Sequence, residues 1–201
     1  MKLIFAPASP FVRKVRALAH ELGIQDSITL HPVKTTALST ADDARAANPL
    51  GKIPALIQDD GPTLFDSRVI CRFLNDKANG DMYPTNTLYD VLTLEALADG
   101  IMESGVTIVY ETRLRPAEKQ STEWMDAQWS KITSALDSLE LNMPPALHGT
   151  VNMAQIAMAC ALSYLDFRHD DRNWRNTRPT LAAWHQAICD RPSLKTTEPT
   201  D

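Results

Sequence analysis

Cysteine is scarce in this chain, with three in 201 residues, at Cys71, Cys160 and Cys189. An odd, widely spaced set offers no disulfide framework, and each lies in an apolar helix-like pattern that reads as a buried thiol. Metal-ligand spacings are missing as well. The one close grouping of histidine with carboxylates, His169-Asp170-Asp171, has neither an i, i+4 helical arrangement nor a cysteine partner. It reads as a solvated loop, and no metal is expected. Long apolar runs are also absent. The longest, Met153 to Leu165, contains Gln155 and Ser163 and is too short to span a bilayer. Met1-Lys2 leads straight into a strand pattern without the apolar stretch of a secretory signal. A cytoplasmic protein with no membrane partner is the expectation. Positive charge is in deficit, with 20 Lys and Arg against 25 Asp and Glu and a net charge of −5, which argues against nucleic acid as the main partner.

What is present is an ordinary globular composition, 44% hydrophobic and 22% charged, in a length that suits one compact domain or two small ones. The two halves differ in character. From residue 1 to about 78, strand-like and helix-like segments alternate: Lys2-Phe5, a helix with Val15, Leu18, Ala19 and Leu22 on one face, then Ile28-Pro32. A helix from about Thr40, Pro54-Gln58, Thr63-Phe65, and a helix opening at Asp66 or Ser67 complete the order βαβαββα. Asp59-Asp60-Gly61 between two short apolar runs predicts an antiparallel hairpin. Residues 79–86 are rich in breakers and read as a linker. From 87 to 201 the pattern is helical throughout, with one helix after Ser121 and another from Asn152 to Phe167 that is apolar almost all round, as the central helix of a bundle would be. Asn152 with Gln155 three residues on resembles a capping box. The expected fold is therefore α/β followed by an all-α bundle.

Three short segments carry the chemistry. Ser9 stands at the N-cap of the first helix, before Pro10 in its first turn, where free amides and the positive end of the helix dipole collect. It reads either as a simple cap or as the holder of an anion such as a thiolate. Ile53-Pro54 falls just where a strand begins. It is either an ordinary edge-strand proline or a tight cis turn that turns the amide and carbonyl of Ile53 outward, to pair with an extended peptide. Asp66-Ser67 opens a second helix. It serves equally as a cap or as a grip on an amino-acid moiety, with Asp66 for the ammonium, and Ser67 and the amides for the carboxylate.

In this order, a Ser-Pro helix start, then Lys52-Ile53-Pro54 before a hairpin, then Asp66-Ser67, the chain resembles the glutathione S-transferase family, especially its bacterial members. The resemblance extends through the helical half to Arg178-Pro179-Thr180-Leu181-Ala182-Ala183-Trp184 and Arg191-Pro192-Ser193. It implies a thioredoxin-like domain at 1–78 that binds glutathione as co-substrate, with no other cofactor, and an all-helical domain at 87–201. By the same resemblance Ser9 matches the catalytic hydroxyl, Ile53-Pro54 the cis-proline turn and Asp66-Ser67 the γ-glutamyl grip. Lys34 and Lys52 lie where the family often contacts the glycyl carboxylate. Phe11, Met102, Val106 and Tyr110 are candidates for a second-substrate pocket, with core packing as the alternative. The implied activity is conjugation of glutathione to a small apolar electrophile by a homodimer. Peroxide reduction, or a non-catalytic docking module, stands as the alternative.

Two departures matter. Related glutaredoxin-type domains carry Cys-Pro-Phe-Cys where this chain has Ser9-Pro10-Phe11-Val12, which argues against dithiol redox chemistry. The family usually has an acidic residue where Gln155 stands, so somewhat weaker capping of the central helix is expected.

Overall fold

The computed structural model describes all 201 residues, Met1–Asp201. They divide into two compact units, Met1–Tyr83 together with Pro192–Asp201, and Pro84–Arg191. In the first, a three-stranded sheet has the order β2-β1-β3, with β1 at Lys2–Phe5, β2 at Thr29–Pro32 and β3 at Ala55–Ile57. β1 is parallel to β2 and antiparallel to β3. Helices α1 (Pro10–Glu21), α2 (Asp42–Ala47) and α3 (Ser67–Lys77) belong to the same unit. Alternation along β1 sends successive side chains to opposite faces. Ile4 and its partner Ala55 pack against Ala44 and Ala47 of α2, leaving buried Leu3 and its partner Leu56 for the face covered by α1 and α3.

The expected fourth strand at Thr63–Phe65 shrinks to one bridge, in which Leu56 and Leu64 exchange amide-to-carbonyl bonds of 2.9 Å. The reason is local. Pro62 has no amide to donate, and its carbonyl is taken by the Gln58 side chain at 2.7 Å. A second difference concerns the end of the chain. Residues 192–201 leave the helical unit and pack into the first one, where Leu194 and Thr197 are buried. The Arg13 guanidinium of α1 donates to the Leu194 carbonyl at 3.0 Å, and Ser193 donates to Glu21.

The second unit holds α4 (Leu88–Leu114), α5 (Thr122–Leu141), α6 (Met153–Arg168) and α7 (Pro179–Cys189), and the four-residue α8 (Pro192–Lys195) follows it in the chain. Ser121 caps α5, accepting from the Trp124 amide at 3.2 Å. Helix α6 is buried on nearly every side, as its apolar surface predicts. Gly105 on α4 permits its approach, since a Cβ there would sit 3.3 Å from the Tyr164 ring. The α6 cap differs from the expected box. Asn152 accepts from the Gln155 amide at 3.3 Å, but the Gln155 side chain donates instead to the carbonyls of Ala146, His148 and Thr150, at 3.4, 3.3 and 3.1 Å. An acid at this position has no proton to give three carbonyls. His169 also departs from the solvated loop expected of it. It is buried, donates from Nε2 to the Gly105 carbonyl at 3.0 Å, and meets the rings of Trp129 and Tyr164. No helix is long and apolar enough to cross a membrane, and no group of three or more His, Cys, Asp or Glu side chains is placed to hold a metal ion.

Candidate functional site

Strand register decides what meets at the end of the sheet. Phe5 lies beside Pro32 in the parallel pair, and Ile4 beside Ala55 in the antiparallel one. The exits of β1 and β2 and the entry of β3 therefore share one end. Because Leu64 bridges Leu56 in antiparallel fashion, the chain beyond Leu64 heads to that end as well. Ser9, Lys34, Lys52-Ile53-Pro54 and Asp66-Ser67 are thus gathered from four segments spread over some sixty positions of sequence.

At this end Ser9 is the N-cap of α1, extended at φ −79° and ψ 120°, and its Oγ accepts from the Val12 amide at 3.4 Å. Accepting uses only the oxygen, so the hydroxyl proton remains to be donated elsewhere. Phe11, in the first turn, is half-buried.

Ile53-Pro54 is a cis peptide. Neither the amide nor the carbonyl of Ile53 joins the ladder or the turns of this unit. The turn before it is built by Asn48, which is almost wholly buried. Its side chain donates to the Lys52 carbonyl and accepts from the Leu50 amide, both at 3.0 Å, and its own carbonyl takes the Gly51 amide at 2.7 Å. Gly51 adopts φ +65°, and a Cβ there would lie 2.3 Å from the Thr40 methyl. Only glycine fits. Nothing in the sequence analysis gave Asn48 a part. An asparagine that starts a turn closed by glycine was the available signal.

Asp66 caps α3, accepting from the Arg68 amide at 3.0 Å and from its guanidinium at 3.1 Å. Burial alone would raise the Asp66 carboxyl, but the guanidinium and amide of Arg68 and the charges of Arg68 and Lys14 outweigh it, so the group sits below its usual range. Lys14 is fully buried, and nothing in the sequence marked it out from the surface lysines. Ser67 is 2% exposed, and its hydroxyl has no partner within the chain. Lys34 and Lys52 are exposed and make no ion pair. The result is a surface with a hydroxyl donor, a free backbone pair, an ionised carboxylate and two cations. Such a set suits an extended zwitterionic peptide.

The three pocket candidates on α4 do not share a common environment. Met102 is fully buried within the helical unit, Val106 is half-buried, and Tyr110 is 38% exposed with its hydroxyl pushed up by burial. Of the cysteines, Cys71 and Cys160 are buried as expected, but Cys189 is partly exposed at the end of α7.

Residues 8–77 match the N-terminal domain of glutathione S-transferases, and residues 122–187 match the C-terminal domain. The chain is 37% identical to the uncharacterized GST-like protein YibF of Escherichia coli K12, over 99% of this chain and 98% of that one. It superposes on a glutathione transferase family member from Pseudomonas fluorescens Pf-5, solved with bound glutathione, with a TM-score of 0.96 and 43% identity over 100% and 99% of the two chains. A second structure of a family member from that source carries bound S-(propanoic acid)-glutathione, with a TM-score of 0.92, 43% identity and full coverage of both chains.

Proposed function

Since the chain belongs to the glutathione S-transferase family, we propose that its first unit binds glutathione and that the protein transfers the thiolate to a small electrophile. The observation that carries this reading is the register-driven gathering of Ser9, the Ile53-Pro54 turn and Asp66-Ser67 at one sheet end. In this reading the Ser9 hydroxyl donates to the sulfur. The unpaired Ile53 backbone holds the cysteinyl segment as an added strand, and Asp66 and Ser67 take the ammonium and carboxylate of the γ-glutamyl end. Lys34 and Lys52 face the glycyl carboxylate. The structures of relatives with glutathione and with a glutathione conjugate support the substrate class.

Chemically the reaction joins sulfur to an electrophilic carbon, with loss of a leaving group or proton uptake at the neighbouring atom. Ser9 keeps its proton throughout and acts as a hydrogen-bond donor. A homodimer in the cytoplasm is the proposed working form. Gel filtration tests it.

Calorimetric titration with glutathione, followed by conjugation assays over a panel of electrophiles and hydroperoxides, tests the function. Binding with turnover of carbon electrophiles is the expected result. Turnover of hydroperoxides alone would move the assignment to a peroxidase, and the absence of binding would leave a docking module as the better reading.

A further inference from the structure

Within the helical unit, the second half of α4 and the end of α6 bring a group of hydrogen-bond donors together. The Tyr164 ring of α6 lies against α4, where a Cβ on Gly105 would come within 3.3 Å of it, and His169 just beyond binds the Gly105 carbonyl at 3.0 Å. From that crossing, Val106, Tyr110 and Arg113 follow along one face of α4 at the spacing i, i+4, i+7. Tyr164 and Arg168 form an i, i+4 pair on α6. The Arg168 guanidinium donates to the Tyr164 oxygen, and Tyr110 and Arg113 lie near enough to act on the same hydroxyl electrostatically.

Each member is set up to hold an anion. Arg168 stacks on Phe167, with its guanidinium carbon 3.8 Å from the ring centroid, which fixes the plane of its donors. A guanidinium cannot accept, so Tyr164 meets Arg168 with its oxygen and keeps its proton to give. Burial holds that proton in place up to about pH 12. The Tyr110 hydroxyl, also pushed up by burial, has no partner within the chain. The nearest carboxylates on the two helices are engaged elsewhere. Glu111 pairs with Arg115 at 3.2 Å, Asp166 pairs with Arg175 at 2.7 Å, and Glu103 lines the groove towards α5. Two cations and two neutral hydroxyls therefore share one place, which is reached from solvent because Tyr110 is 38% exposed and Arg113 is exposed. A planar guanidinium fork with hydroxyl donors beside it fits the two oxygens of a carboxylate. We propose that Tyr110, Arg113, Tyr164 and Arg168 bind the carboxylate of a small organic acid. In the glutathione reading, on which this use of the site rests, the electrophile that receives the thiolate carries an acid group and is not the wholly apolar one that the family resemblance implies. With 4-chloro-3-nitrobenzoate, for example, sulfur bonds to the ring carbon that bears chlorine, the carbon–chlorine bond breaks, and chloride leaves with the electron pair while the thiol proton goes to solvent.

The test separates binding from chemistry. Calorimetry on the full chain compares 3-nitrobenzoate, which has no chlorine to displace, with the neutral 3-nitrobenzamide, with and without glutathione. The acid should bind at one site per chain and about tenfold tighter than the amide, as one charge-assisted hydrogen bond allows. Arg113→Gln and Arg168→Gln should each lower that ratio several-fold. Arg115→Gln, which removes the same charge from a residue paired with Glu111, should leave the ratio unchanged. Conjugation assays then compare 4-chloro-3-nitrobenzoate with its amide, and the preference for the acid should lie in KM rather than kcat and fall in the same two variants. Circular dichroism checks folding, and Arg113→Gln, at an exposed position, decides if the Arg168 variant does not fold. Equal binding of acid and amide, or a ratio lowered as much by Arg115→Gln as by the other two, overturns the site whatever the conjugation assay gives. Acid binding with conjugation that ignores the acid group overturns its use in substrate choice. Acid binding with no conjugation of either compound upholds the site and overturns the transferase reading instead.

Discussion

A serine hydroxyl at a helix N-cap can hydrogen-bond both ways, and Ser9 uses only its acceptor within the chain. One bond from its proton to a charged sulfur contributes roughly 1.5–3 kcal/mol, or about two units of thiol pKa. At neutral pH that lifts the thiolate from about 3% to about three quarters. A stabler thiolate is less nucleophilic by about eightfold, so the net gain is about threefold. Ser9→Ala and Ser9→Gly should both lower kcat/KM about threefold at pH 7 and raise the pH at which bound thiolate absorbance appears by about two units. The alanine variant alone should lose about 1 kcal/mol of stability, because glycine remains a fair cap. Thermal melts beside the kinetics separate the two roles. For Asp66, already ionised below the usual carboxyl range by Arg68 and Lys14 despite its burial, Asp66→Asn should weaken glutathione binding about tenfold. Below about pH 6, where the bound thiol is protonated, calorimetry should find the affinity of the parent chain unchanged down to about pH 4.

Elements are held by contacts that sequence patterns seldom display. The loop before β3 depends on Asn48 and on a glycine at positive φ beneath Thr40. Gly51→Ala should cost about 1–3 kcal/mol and reduce glutathione affinity, both through the displaced Lys52-Ile53-Pro54 turn. Denaturant titration and calorimetry would show it, and an unchanged denaturation midpoint would remove Gly51 from the turn's support. At the start of α6, Gln155→Glu should be destabilising by about 1–3 kcal/mol. The carboxylate would face three carbonyls that Gln155 now satisfies as a donor. Helix-level reading located the cap correctly and missed which way the residue faces, because a three-residue spacing does not report the loop that folds back over it.

Across the molecule, buried ionisable groups shape how stability responds to pH. Burial depresses His169, with the Gly105 carbonyl only partly restoring it. The unfolded chain therefore binds that proton more readily, so stability is fully present above about pH 6.5 and declines as pH falls below it. Burial pushes the Tyr164 hydroxyl the other way, up to about 12, and stability should decline again as pH rises beyond about 10. Melting temperature against pH should show both slopes, and His169→Gln should flatten the acid one. Deleting Pro192–Asp201 should destabilise the first unit, far away in sequence, because Leu194, Thr197 and the Arg13 bond go with it.

Local pattern alone determined much of this protein. Short apolar runs located the three strands of the sheet, and the apolar run of Met153 to Leu165 marked α6 as central. The Ser-Pro, Ile-Pro and Asp-Ser starts were legible because caps and prolines act within a few residues of themselves. Tertiary structure decided what depends on pairing across long separations: the register that gathers the starts at one sheet end, the burial of Lys14 and His169, the return of residues 192–201 to the first unit, and the partial exposure of Cys189. An amphipathic pattern states that a face is buried, but not against which partner, and buried polar groups take their properties from that partner.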